Sequence, residues 1–114
     1  MLTISKAQMK VFSANSTEDF VKRTVEFLRA NTPDWAASRT DKEIAEQVRS
    51  GIAWGKEVGI RRELSLQKVM YHSIINKADP FVPGPLNGIL TDQAVHETRR
   101  VMNFIKYLRE HGRP

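Results

Sequence analysis

A chain of 114 residues, 40% hydrophobic and 27% charged, has the size of one domain and enough apolar residues for one modest core. It has no cysteine, which excludes disulfides, thiolate chemistry and cysteine–zinc sites. Its 18 Lys+Arg against 13 Asp+Glu give a net charge of +5, yet acidic residues are interleaved throughout and only Arg61-Arg62 and Arg99-Arg100 form local excesses, short of the clustered footprint of a nucleic-acid binder.

The N-terminus, MLTISKAQMKVF, lacks the basic region and continuous apolar stretch of a signal peptide, and no apolar run reaches bilayer length. A cytoplasmic location is expected. Ser5 opens a first short helix, with Gln8 completing an S-x-x-Q capping box and Met9 and Phe12 one turn apart. The polar stretch Ser13 to Ser16 is expected to break it. Ser16 or Thr17 then caps a second helix with Glu18 and Asp19 in its first turn. Phe20, Val21, Thr24, Val25, Phe27 and Leu28 form its buried stripe. Pro33 suits a first helical turn, so a single turn over 33–38 follows, capped by Thr32 and with Trp35 beneath it.

Thr40 and Glu43 form another capping box, and the helix they open runs to about Val58 with Ile44, Ala45, Val48 and Ile52 on its apolar face. Gly59 supplies a left-handed stop, after which Ile60 can fold back on the last turn. Leu64, Leu66, Val69, Met70, Ile74 and Ile75 predict a helix over about 62–77, whose basic first turn has no good cap. The segment ADPFVPGPLNG, 78–88, has three prolines and two glycines, which argues against regular helix or central strand. Its apolar Phe81, Val82 and Leu86 either tuck under the body or meet a partner. Thr91 is expected to cap a last helix, 92–111, with Val95, Met102, Ile105 and Leu108 as its main seam and Val101 and Phe104 beside it. The pattern predicts an all-α fold: one domain over 1–114, a bundle of about five helices with a proline-rich loop before a long C-terminal helix.

No constellation for catalysis stands out. His72, His96 and His111 fall on separate turns without metal-ligand spacing. Glu18-Asp19 and Glu43-Glu46 read as helix-start residues, and no phosphate-binding or nucleophile motif is present. Neither an enzymatic activity, a metal nor a cofactor is expected. The candidates for partner binding are Gly51, Trp54 and Gly55 on one helix, and Phe81, Val82 and Leu86 in the proline-rich loop. Gly51 and Gly55 leave a shallow channel for close approach of another helix or a bulky side chain, most simply within the domain. Trp54 is either a tryptophan in a local crevice or an aromatic anchor for a partner.

The order of MLTISKAQM, FVKRTVEFLRANTPDW, VRSGIAWGKEVGI and PLNGILTD resembles a family of small helical proteins encoded in type VI secretion loci of Gram-negative bacteria. The resemblance covers about residues 1–92. The chain departs from the family pattern in having NKADPFVPGP where an acidic stretch is usual, and in carrying the additional helix 92–111. The resemblance implies a non-enzymatic accessory of effector delivery, a co-chaperone or adaptor that binds an effector toxin or its loading chaperone. An immunity protein for a co-encoded toxin and a small helical nucleic-acid binder are the alternatives.

Overall fold

The computed structural model describes residues 14–111, with side chains from Ser16. The predicted first helix, with its Ser5–Gln8 cap, lies outside the described residues. Six helices follow: α1 (Ala14–Asn31), α2 (Pro33–Ala37), α3 (Asp41–Val58), α4 (Glu63–Ile75), α5 (Pro85–Leu90) and α6 (Glu97–His111). Among the described residues there is no strand, and the fold is all-α.

The predicted stripe of α1 is its buried face: Phe20, Val21, Thr24, Val25 and Leu28 are buried and Phe27 is half-buried. The expected break at Ser13–Ser16 is wrong where the structure describes it, since Ala14 to Thr17 are already helical. Small polar residues cost a helical turn only a few tenths of a kcal/mol each, about the spread of ordinary helix propensities. Ser16 and Thr17 therefore lie inside the helix and do not cap it. Glu18 and Asp19 stand beyond its first turn, where they pair with Arg49 at 2.9 Å and Arg23 at 2.9 Å. Thr32 does precede the short α2, but its hydroxyl donates backward to the Leu28 carbonyl at 2.5 Å and does not cap the new turn.

α3 starts and stops as its sequence predicts. The Glu43 amide donates to Thr40 Oγ1 at 3.1 Å, and the Thr40 amide to Glu43 Oε1 at 2.8 Å. Gly59 is left-handed at φ +83°, and the amides of Gly59 and Ile60 both donate to the Gly55 carbonyl at 2.8 Å. That fold-back carries Ile60 into the core, where it is fully buried.

α4 has no cap from its own sequence. The missing group comes from α6: the Glu97 carboxylate accepts from the Arg61 amide at 3.1 Å and the Arg62 amide at 2.9 Å. A carboxylate there also meets the positive end of the helix dipole. Leu66, Val69 and Met70 are buried as expected, whereas Leu64 and Ile75 point outward. Buried Glu63, Ser65 and Ser73 complete the inward face of α4. Glu63 is held by Arg23 at 3.2 Å, and Ser73 donates to the Val69 carbonyl at 2.6 Å.

The proline-rich segment does contain a helix, α5, which corrects the expectation of irregular chain through residue 88. Pro85 occupies its first turn, where a missing amide costs nothing. The last helix begins at Glu97, not at Asp92. Thr91 ends α5, donating its hydroxyl to the Asn87 carbonyl, while Asp92 turns the chain by accepting from the Ala94 amide at 3.0 Å. His96 caps α6, its Nδ1 accepting from the Thr98 amide at 3.2 Å. The α6 seam is Val101, Phe104 and Leu108; Met102 is exposed, and Val95 and Ile105 are only half-buried. The two seams overlap in sequence, and the one that buries an aromatic ring wins.

α1 packs on α2, α3 and α4, while α4 also packs on α3 and α6, and α5 lies on α6. The core gathers Phe20, Leu28, Ile44, Leu66 and Phe104 around that central α4.

Candidate functional site

Between α3, the C-terminal half of α4 and the chain just after it runs an open groove of about 1140 Å³. Gly51, Trp54, Phe81 and Val82 all line it. The Trp54 and Phe81 rings meet edge to face, 4.9 Å between centroids at 85°. Trp54 is half-buried, Phe81 is 40% exposed and Val82 52% exposed, so one aromatic ring is seated and two apolar groups stand at the rim. Thus Trp54 occupies a crevice made partly by the loop, and the loop itself is only partly tucked. Its buried anchor is Pro80.

The Gly51–Gly55 channel is filled from within. A Cβ on Gly51 would come within 2.5 Å of the Met70 methyl. One on Gly55 would collide with the Ile60 carbonyl and lie 2.9 Å from Leu66 Cδ2. Gly55 is buried away from the groove, and Leu86 packs half-buried against the core. Neither joins the other four predicted residues.

Two further features of the groove were not singled out in the sequence. At its α2 end the Arg39 guanidinium lies over the Trp35 ring, 4.3 Å from its centroid, and donates to the Trp35 carbonyl at 2.6 Å. The i, i+4 spacing of these residues was the available signal. At its α4 end, Lys77 adopts φ +52°, a left-handed conformation that costs a side-chain-bearing residue about 1 kcal/mol or more. It closes α4 as glycine usually does: the Lys77 amide donates to the Ile74 carbonyl at 3.2 Å and the Ala78 amide to the Ser73 carbonyl at 2.9 Å. Strain of this kind concentrates at functional sites.

The connection carrying Phe81 is fixed at its far end by Arg100. This buried guanidinium donates to the carbonyls of Val95 at 2.8 Å, Val58 at 2.7 Å, Leu90 at 3.0 Å and Gly59 at 3.4 Å. The Val58 and Leu90 carbonyls stand at the negative ends of α3 and α5, which suits a cation.

Of the histidines, His72 lies half-buried on α4, and burial, joined by the positive charges of Arg109 and Lys68, holds its pKa below the usual value. His111 stacks on Tyr107 with 4.4 Å between centroids. Among the described residues no group of three or more acidic or histidine side chains is placed to hold a metal ion. No helix there is long and apolar enough to cross a membrane.

No protein-family model matches the chain, and neither a curated protein nor a solved structure matches it.

Proposed function

We propose that this chain is a non-enzymatic binding protein of type VI effector delivery, an adaptor or co-chaperone that grips a segment of the effector or of its loading chaperone in the α3–α4 groove. The secretion setting comes from the sequence resemblance. The observation that carries the binding role is the Trp54–Phe81 pair with Val82 beside it: apolar surface held out at the rim of a long, open groove. A groove of this volume and openness suits an extended or helical segment better than an enclosed small molecule. Its rim mixes Glu43, Glu46 and Asp79 with Arg39 and Lys77, so attraction there is chiefly apolar and persists in salt.

The test is affinity capture with the tagged protein, challenged with the products of neighbouring genes and washed across a salt series. Capture of an effector or loading chaperone that survives high salt, and is weakened at least about tenfold by Phe81→Asp, is the expected result. Phe81→Asp gives up one aromatic edge contact, about 1 kcal/mol, and leaves the domain folded by circular dichroism. Direct capture of a toxin with loss of its toxicity would instead identify an immunity protein. A folded Phe81→Asp variant that binds unchanged would remove the groove from the mechanism.

A further inference from the structure

The net charge of +5 is unevenly placed. Residues 61–77 and 97–111, which contain α4 and α6, hold eight Lys/Arg and only three Asp/Glu, an excess of five. Two of those acids are committed internally, Glu63 to Arg23 and Glu97 to the backbone at the start of α4, and of the cations Arg100 is buried on backbone carbonyls. α4 and α6 run in the same direction. Glu97 joins their starts, and the two helices pack on each other.

Helical spacing sets the composition of the outward face this pair presents. Leu64, Lys68, His72 and Ile75 fall on one stripe of α4. Met102, Lys106 and Arg109 fall on one stripe of α6, away from buried Val101, Phe104 and Leu108. Leu64 is 63% exposed, Met102 58% and Ile75 48%. None of Lys68, Lys106 and Arg109 belongs to an ion pair among the described residues. The groove described above lies against Met70, Ser73 and Ile74, on another side of α4.

We infer that the α4–α6 face is a second docking surface, and that its occupant is an acidic amphipathic helix of a partner protein. Exposed Leu64, Ile75 and Met102 set among Lys68, Lys106 and Arg109, which form no ion pair among the described residues, are complementary to a helix that presents apolar side chains together with carboxylates. Nucleic acid is the less suitable occupant. Its bases stack on aromatic rings, and the exposed apolar groups here are the aliphatic side chains of Leu64, Ile75 and Met102. The inference does not depend on the groove, since the two surfaces share no apolar contact residue.

The experiment uses the full chain and a fluorescein-labelled helical peptide of about 15 residues, long enough to run the length of α4. The peptide carries leucines on one stripe and glutamates on both flanks. A second peptide keeps the leucines and replaces each glutamate by lysine, and a short DNA duplex serves as competitor. The expected result is binding of the glutamate peptide only, weakening steeply with salt and resisting the duplex. The pair Lys68→Glu and Lys106→Glu should weaken it at least about tenfold, as should the pair Leu64→Ser and Met102→Ser, all at exposed positions. Lys22→Glu, on exposed α1, should leave it unchanged. No binding of the glutamate peptide, equal binding of the lysine peptide, displacement by the duplex, or indifference to either pair of substitutions would overturn the inference. Phe81→Asp tests the groove separately, because it should not alter this binding.

Discussion

Replacing Arg100 by methionine should be among the most damaging single changes available to the fold. Arg100 is 5% exposed and has no carboxylate partner among the described residues; its hydrogen bonds there all end on backbone carbonyls. An apolar residue can replace a buried ion pair at little cost when both charges leave together. Here the acceptors belong to the main chain and cannot leave. Gln93 Nε2 also donates to Val58, at 2.7 Å, so that carbonyl retains a partner. Gly59 gives up only a long contact of 3.4 Å, so the loss falls chiefly on Leu90 and Val95, at about 1–3 kcal/mol for each carbonyl left unpaired. A total of about 3–5 kcal/mol is a large part of the roughly 5–15 kcal/mol that holds an ordinary domain together. Urea unfolding followed by circular dichroism reads this directly, and the melting temperature should fall by roughly 12 °C or more. Arg100→Lys keeps the charge but loses the fork, and should fall between the two. A methionine variant within about 0.5 kcal/mol of the parent would refute the reasoning, because it would mean that these carbonyls find water or new donors at no cost.

Gly55→Ala should destabilise by about 1–3 kcal/mol, since the added methyl meets the backbone of Ile60. Gly51→Ala should be near neutral in the same melts: it meets only the flexible end of Met70, and the helix gains about 1 kcal/mol from losing a glycine. Lys77→Gly should raise stability by about 0.5–1 kcal/mol by relieving the left-handed lysine; an unchanged or lower melting point would show that the side chain contributes more than its strain costs. His72 has a folded-state pKa below its unfolded value, through burial first and then Arg109 and Lys68. The unfolded chain then takes up its proton first as pH falls, so the His72 contribution to stability is retained at neutral pH and lost progressively from about pH 6.5 downward. Urea midpoints across that range should fall less for His72→Gln than for the parent, and parallel curves would count against the assignment.

What could be read from the sequence was whatever local chemistry decides. The Thr40–Glu43 box and Gly59 fix both ends of α3 within the helix's own neighbourhood, and both ends were found where expected. Distant partners decide the features that were missed. α4 begins without a local cap because Glu97, 35 residues along the chain from Arg62, supplies the carboxylate. α6 begins late because Asp92 closes a turn on Ala94 before a helix can start, a use of Asp that competes with the acidic first turn pattern reading assigns it. Arg100 reads in sequence only as half of a local basic excess, and its position between two helix ends buries it. In the groove, the sequence could nominate Trp54 and Phe81 by residue type. Only the fold could bring them to 4.9 Å, or remove Gly55 and Leu86 from the same surface.

The two proposed surfaces differ in their response to ionic strength, and this bears on how the proposed adaptor would act. Contacts in the groove are apolar with a mixed rim, so their strength changes little between low and physiological salt. The α4–α6 face depends on charges that are screened within about 8 Å at physiological salt. A partner held in the groove would therefore stay through conditions that release one held on α4–α6. If one protein occupied both, its dissociation would show two phases in a salt jump, the fast one removed by the Lys68→Glu and Lys106→Glu pair and the slow one accelerated by Phe81→Asp. If two proteins occupied them, each substitution would release one and leave the other captured. α4 takes part in both surfaces through different faces, and its start is pinned by Glu97. The helix that had no cap of its own is thus the element shared by both proposed binding surfaces.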